Sequence, residues 1–286
     1  MFSLDAALAL IPDLAIDLSR CGEVGPHGLP PPVVVTLERR PDRWAAAQQR
    51  LARHGILHPI KATAVDGRAL TGDQLRRLLA DPSAVDRPLE HYLQMTRPAV
   101  GCFLSHLAIW KQFLGSGAPH ILVLEDDAVP VEGYAPGQGR AVLRAMPDDA
   151  DMLLLGYTIM DGLAEPTANL AITRVYYYNG TYAYLLTRKG CLALLPHLLP
   201  LVTHVDNQIS LALVAQRAML RVYGAEPRLF EHDFTILSDV YVPVTNEATA
   251  DRRLALIFDD SRARLIRDGA RLQAKFVAHD APSLTD

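Results

Sequence analysis

Short branched apolar runs, too brief for helices and closed off by proline or by charge, constrain this chain more than any other feature. Val33 to Leu37 and Ile121 to Leu124 are such runs, the second bounded by Pro119 and Pro130. A run that is apolar on both alternating sets of positions fits a strand buried on both faces. Between the runs the period changes. "RRPDRWAAAQQRLARHG" predicts a helix from Pro41 to His54, stopped by Gly55. "AVGCFLSHLAIWKQFL" puts Val100, Phe103, Leu104, Leu107, Trp110 and Leu114 on one helical face. Strands alternating with helices imply an α/β protein, a mostly parallel mixed sheet flanked by helices.

The same reading continues along the chain. Pro59 to Thr63 reads as a strand, and a short helix follows Thr71 as its N-cap. Further helices are expected near Gln138–Ala145, Lys189–Leu199 and Asp206–Ala218, and strands at Asp151–Leu155 and Met219–Tyr223. "AITRVYYYNGTYAYLLT" alternates well enough for two strands joined near Asn179-Gly180. Three units result: an N-terminal amphipathic segment with a proline-rich connector (1–32), one large domain (33–245), and a charged helical tail (246–286).

Composition excludes several classes. The net charge of −4 over 286 residues gives no general affinity for nucleic acid. The opening "MFSLDAALALIPDLAIDLSR" is a poor signal peptide, because it lacks a basic start and carries Asp5 and Pro12. An amphipathic helix packing on the domain or on a partner is favoured over a membrane-surface anchor. No run approaches the roughly 18 apolar residues of a membrane span. The three cysteines, widely spaced, read as reduced thiols. The expectation is a cytoplasmic protein, with peripheral contact at the inner face of a membrane left open.

The chemistry concentrates in Glu125, Asp126 and Asp127, directly behind the apolar strand. In open α/β sheets ligands bind beyond the carboxyl ends of strands. Three repelling carboxylates there call for a cation, and hard divalent ions such as Mn²⁺ or Mg²⁺ take carboxylate oxygens together with substrate phosphate. Neither a P-loop nor a dinucleotide glycine fingerprint is present. The acids therefore point to metal-assisted handling of a nucleotide diphosphate or phosphoester. Asp66-Gly67, after "KATAV", ends a strand on the same side, where an Asp can accept from a ribose or base donor.

"VVVTLERRPDRW" resembles the opening of glycosyltransferase family 25, the lipooligosaccharide sugar transferases related to collagen galactosyltransferases. "KATAVDGRAL", "GCFLSHLAIWKQFL", "ILVLEDDAVP", "NGTYAYLLTRKGCLALL" and "HVDNQIS" follow in the family's order, and "EPRLFEHDFTILSDV" continues it more weakly. The resemblance implies a GT-A type fold, a UDP-sugar donor (commonly UDP-galactose), a glycan or lipooligosaccharide acceptor, and Mn²⁺ held by the acids. It makes Thr36, Leu37, Arg39, Arg43, Asp66, Gly67, Ser105, His106 and Asp126 donor-binding candidates. Asp126, Asp127 and His232 become metal candidates. An inverting transfer needs a carboxylate base, for which Asp206 is the first choice and Glu125 the second. Asp206 alone would read as a helix N-cap. The rival readings are a metal-dependent nucleotidyltransferase or phosphoesterase, and a catalytically silent glycan-binding module.

Overall fold

A computed structural model describes residues 4–240 apart from 83–84, 86–94, 159–163, 217–218, 234 and 237–238. The expected tail helix of 246–286 lies outside the described residues. The first helix, α1 (Leu4–Leu10), buries Ala7, and Leu4, Leu8, Leu10 and Leu14 pack against the main core. Lys111 ties the segment down by donating to the Ile11 carbonyl at 2.9 Å and pairing with Asp13 at 2.8 Å. In the proline-rich stretch His27 to Pro32 are buried. Gly28 is pressed so close to Arg140 that a Cβ would stand 2.4 Å from its backbone nitrogen.

β1 (Val33–Thr36) is buried at every position. α2 (Pro41–Arg53) follows with proline in its first turn, where the missing N–H costs nothing. Next come β2 (Ile60–Thr63) and α3 (Gly72–Leu78), whose start Thr71 and Gln74 close as a reciprocal capping box. α4 (Arg97–Ser116) is capped by Thr96 and ended by Gly117 at φ 75°. β3 (His120–Glu125) and β4 (Ala128–Pro130) flank the acids. α5 (Pro136–Ala145), β5 (Met152–Thr158), β6 (Ala164–Pro166), β7 (Ile172–Val175), β8 (Asn179–Thr187) and α6 (Arg188–Leu194) follow. The described chain closes with α7 (Val205–Ala215), β9 (Val222–Ala225) and β10 (Phe230–His232).

The large sheet has the order β2-β1-β3-β8-β5-β9-β7-β6, and β4 pairs with β10 in a small second sheet. It is mixed, with three parallel and four antiparallel pairings. The two strands expected to meet near Asn179-Gly180 form, but not as a hairpin. β7 pairs with β6 and β9, whereas β8 runs antiparallel between β3 and β5. Burial explains the separation. Thr181 to Leu186 are buried without a break, so β8 needs cover on both faces and takes a central place.

The sheet divides two apolar layers with period two. In β3, Ile121 and Val123 enter one layer with Phe103, Leu107 and Trp110 of α4, while Leu122 and Leu124 enter the other with Ala47 and Leu51 of α2. β5 does the same with Met152 and Leu154 against Leu153 and Leu155. Among the described residues no helix is long and apolar enough to cross a membrane.

Candidate functional site

Strand direction decides which residues can meet. β1, β2, β3, β5 and β9 all end at one edge of the sheet, and β8, running the other way, begins there. Thr36, Thr63, Glu125 and Thr158 are thus brought to the same rim as Asn179, Gly180 and Thr181. The small sheet adds His232, because β10 pairs His232 with Ala128 beside the acids.

The acids find their counter-charge within the chain. Arg43, in the first turn of α2 and 7% exposed, donates through Nη2 to Asp127 Oδ2 at 2.8 Å and contacts Asp126 Oδ1 with the same nitrogen. The repulsion that in sequence calls for a bound cation is met at least in part by this guanidinium. Burial pushes Asp126 up to about 6, with Asp127 and Glu125 adding repulsion against the opposing pull of Arg43 and Thr36. Asp127 is also pushed up by burial, but the bond to His232 and the charges of His232 and Arg43 outweigh that and hold it below the usual carboxylate range. His232 is raised in turn, chiefly by its bond to Asp127, whose Oδ2 lies 3.4 Å from Nε2. Adjacent acids driven in opposite directions are a pattern common to functional sites.

Asp127 Oδ1 is buried and accepts no hydrogen bond. A buried carboxylate oxygen with an unused lone pair, beside a second acid and an imidazole, fits a hard divalent cation. A second set of donor atoms, from Cys102, His106 and Glu125, lies within 4.8 Å of one another. Trp110 Nε1–H donates to the Tyr184 oxygen at 2.9 Å. The Tyr184 hydroxyl is also hydrogen-bonded to His106 Nδ1 at 2.8 Å. His106 Nε2 faces Glu125 Oε1 at 3.4 Å. Glu125 Oε1 accepts from Thr181 Oγ1 at 2.8 Å.

The remaining predicted residues divide into two groups. Arg39 faces the rim and bonds Asp66 Oδ2 and Asp239 Oδ1, each at 3.0 Å. Asp66 itself caps a short turn by accepting from Arg68 N at 3.0 Å. Leu37 accepts from Arg40 N at 2.9 Å, closing the turn into α2. Gly67 and Ser105 serve packing. A Cβ on Gly67 would stand 1.8 Å from the Arg97 carbonyl oxygen. Ser105 Oγ donates to Gly101 O at 2.7 Å and accepts from Val65 N at 2.8 Å, fastening the loop after β2 to α4. Asp206 is not the N-cap, which is His204. It lies two residues further in, within the first turn, where Oδ2 accepts from Gly180 N at 2.7 Å and Oδ1 from Asn207 N at 2.8 Å. Asp239, Arg68 and Thr181 join the site although sequence reasoning gave none of them a role. All three stand in quoted motifs, but Asp239 acts on residues some 200 positions upstream, and no local pattern announces that.

Residues 30–135 match the model of glycosyltransferase family 25 (LPS biosynthesis protein). A glycosyltransferase 25 family member of Drosophila pseudoobscura pseudoobscura is 29% identical over 167 residues, covering 57% of this chain and 26% of its own length. Inactive glycosyltransferase 25 family member 3 of Mus musculus is 38% identical over 96 residues, 33% of this chain and 16% of its own. Procollagen galactosyltransferase 2 of Homo sapiens is 35% identical over 94 residues, 33% and 15% of the respective lengths. The chain thus spans about a quarter or less of the relatives it matches.

Proposed function

We propose that this chain is a GT-A type glycosyltransferase that moves a hexose, with galactose the first choice, from a UDP-sugar to a glycan hydroxyl with inversion. The observation that carries the reading is convergence: five separate stretches deliver Arg43, Glu125–Asp127, Thr181, Asp206 and His232 to one sheet edge. The family match over residues 30–135 supports the transferase class. Mn²⁺ or Mg²⁺ would be held by Asp126, Asp127 and His232, and when bound it supplies charge neutralisation for the departing diphosphate. Arg39 and Arg43 contribute fixed positive charge on the donor side. The base is Asp206 or Glu125. Geometry favours Glu125, since both Asp206 oxygens already accept backbone N–H bonds. A lipooligosaccharide-like acceptor and a cytoplasmic site at the inner membrane face complete the proposal.

Screening UDP-sugars for UDP release and glycan product, with and without Mn²⁺, tests it. Asp127→Ala is expected to fold and to lose metal-dependent transfer at least about a hundredfold; near-normal transfer would remove the metal assignment. Phosphate or pyrophosphate release without glycan product would point instead to a nucleotidyltransferase or phosphoesterase. Several relatives bear the word inactive in their names, which motivates a second reading as a silent glycan-binding module. Glycan binding with no donor hydrolysis would favour that reading.

A further inference from the structure

The carboxylate of Asp239 gathers four guanidinium groups. Its Oδ1 pairs with Arg39 Nη2 at 3.0 Å and lies 3.9 Å from Arg68 Nη2. Its Oδ2 pairs with Arg40 Nη1 at 2.7 Å and Arg43 Nη1 at 3.3 Å. Several arginines converging on the two oxygens of one anion is the arrangement that recognises phosphate, because guanidinium forks match its tetrahedral oxygens. Arg39, Arg40 and Arg43 stand at the turn from β1 into α2. Positive charge there is mildly disfavoured by the helix dipole, and the turn lies beyond a strand's carboxyl end, where open α/β sheets bind ligands. The cluster adjoins Asp126 and Asp127 through Arg43, which touches all three carboxylates.

Asp239 comes from the far side of the described chain. It is anchored through its neighbour Val240, whose carbonyl accepts from Thr96 Oγ1 at 3.1 Å and whose side chain packs on the core. Its own side chain keeps 16% exposure, and Arg68 beside it keeps 59%, so the cluster opens to solvent on the Arg68 side. We infer that Arg39, Arg40, Arg43 and Arg68 form a phosphate seat that Asp239 fills from within the chain, and that the diphosphate of a nucleotide-sugar donor enters by displacing the Asp239 carboxylate. The donor class rests on the function proposed above; the seat rests on the ion pairs alone. The diphosphate bridge of a nucleotide-sugar carries one negative charge on each phosphoryl group, two in all, against the single charge of a carboxylate, which favours the exchange.

Calorimetric titration of the full chain with inorganic pyrophosphate, without sugar or metal, tests the seat. Asp239→Asn is expected to bind pyrophosphate about tenfold more tightly, the gain when a site free about a tenth of the time becomes free throughout. Asp239→Ser should do the same if the amide disturbs packing. Asp42→Asn removes an equal charge that pairs with Arg40 from outside the hub, at 64% exposure, and should change Kd less than about twofold. Adding Arg40→Ala to Asp239→Asn should abolish the gain. Unchanged or weaker binding in both Asp239 variants overturns the inference, as does an equal gain in Asp42→Asn. Tightening in a chain that transfers no sugar keeps the seat and removes the donor class; sugar transfer without tightening does the reverse.

Discussion

The two sides of the sheet edge hold their acids by different means. Around Asp126 and Asp127 the partners are charged side chains from distant segments: Arg43 from α2 and His232 from β10. Around Glu125 and Asp206 they are a hydroxyl, an imidazole and backbone N–H groups, and both acids are only partly buried. A buried carboxylate without a counter-charge is costly, whereas a half-exposed one needs only hydrogen bonds. The first side should therefore be fragile to loss of one residue and strongly dependent on pH, and the second tolerant.

The sharpest break of that contrast is Arg43→Met. It keeps the stem volume but leaves Asp126 without its guanidinium partner and Asp127 with His232 alone. The expected loss is about 3–5 kcal/mol at neutral pH, the cost of removing one partner of a buried pair. Urea unfolding measures it. Asp126 titrates at about 6 even with Arg43 present, so part of the loss should return at pH 5, where Asp126 accepts a proton. A deficit below about 1 kcal/mol would mean that the arginine is not what tolerates these acids.

On the other side, Asp206→Asn is expected to cost about 1–3 kcal/mol, because the amide has one acceptor where two backbone N–H groups now bond. A simple N-cap would have tolerated Asn. The same variant separates the base candidates: transfer surviving in Asp206→Asn but lost in Glu125→Gln assigns the base to Glu125, and the opposite pattern assigns it to Asp206.

What the sequence revealed follows the range of the interactions. β1, the Pro41 start of α2, the Thr71 cap of α3 and the apolar face of α4 are set within a few residues, and all are found close to their expected bounds. The acids at the end of β3 were legible as a candidate site because strand ends are where α/β sheets bind ligands. The position of β8 between β3 and β5 was not, since pairing order is settled by which strand needs cover on both faces. Nor was the Arg43 counter-charge, which spans 84 positions. Asp206 looked like a cap because its true partner, the Gly180 N–H, belongs to a strand that no sequence window shares with it.

The smallest effect tests whether His232 belongs to the charged side at all. Its pKa is raised above 6.5 chiefly by Asp127. A raised histidine contributes stability that is fully present below 6.5 and is lost as pH rises through the higher, folded-state value. Between pH 6 and 8.5 the unaltered chain should therefore lose stability on the order of 1 kcal/mol relative to His232→Asn, which has nothing to titrate there. His27, His120 and His197 are shifted down by burial and act in the opposite sense. They are the same in both proteins, so the difference between the two urea-midpoint profiles isolates His232. Parallel profiles would detach His232 from Asp127 and leave the latter's low pKa to Arg43 alone.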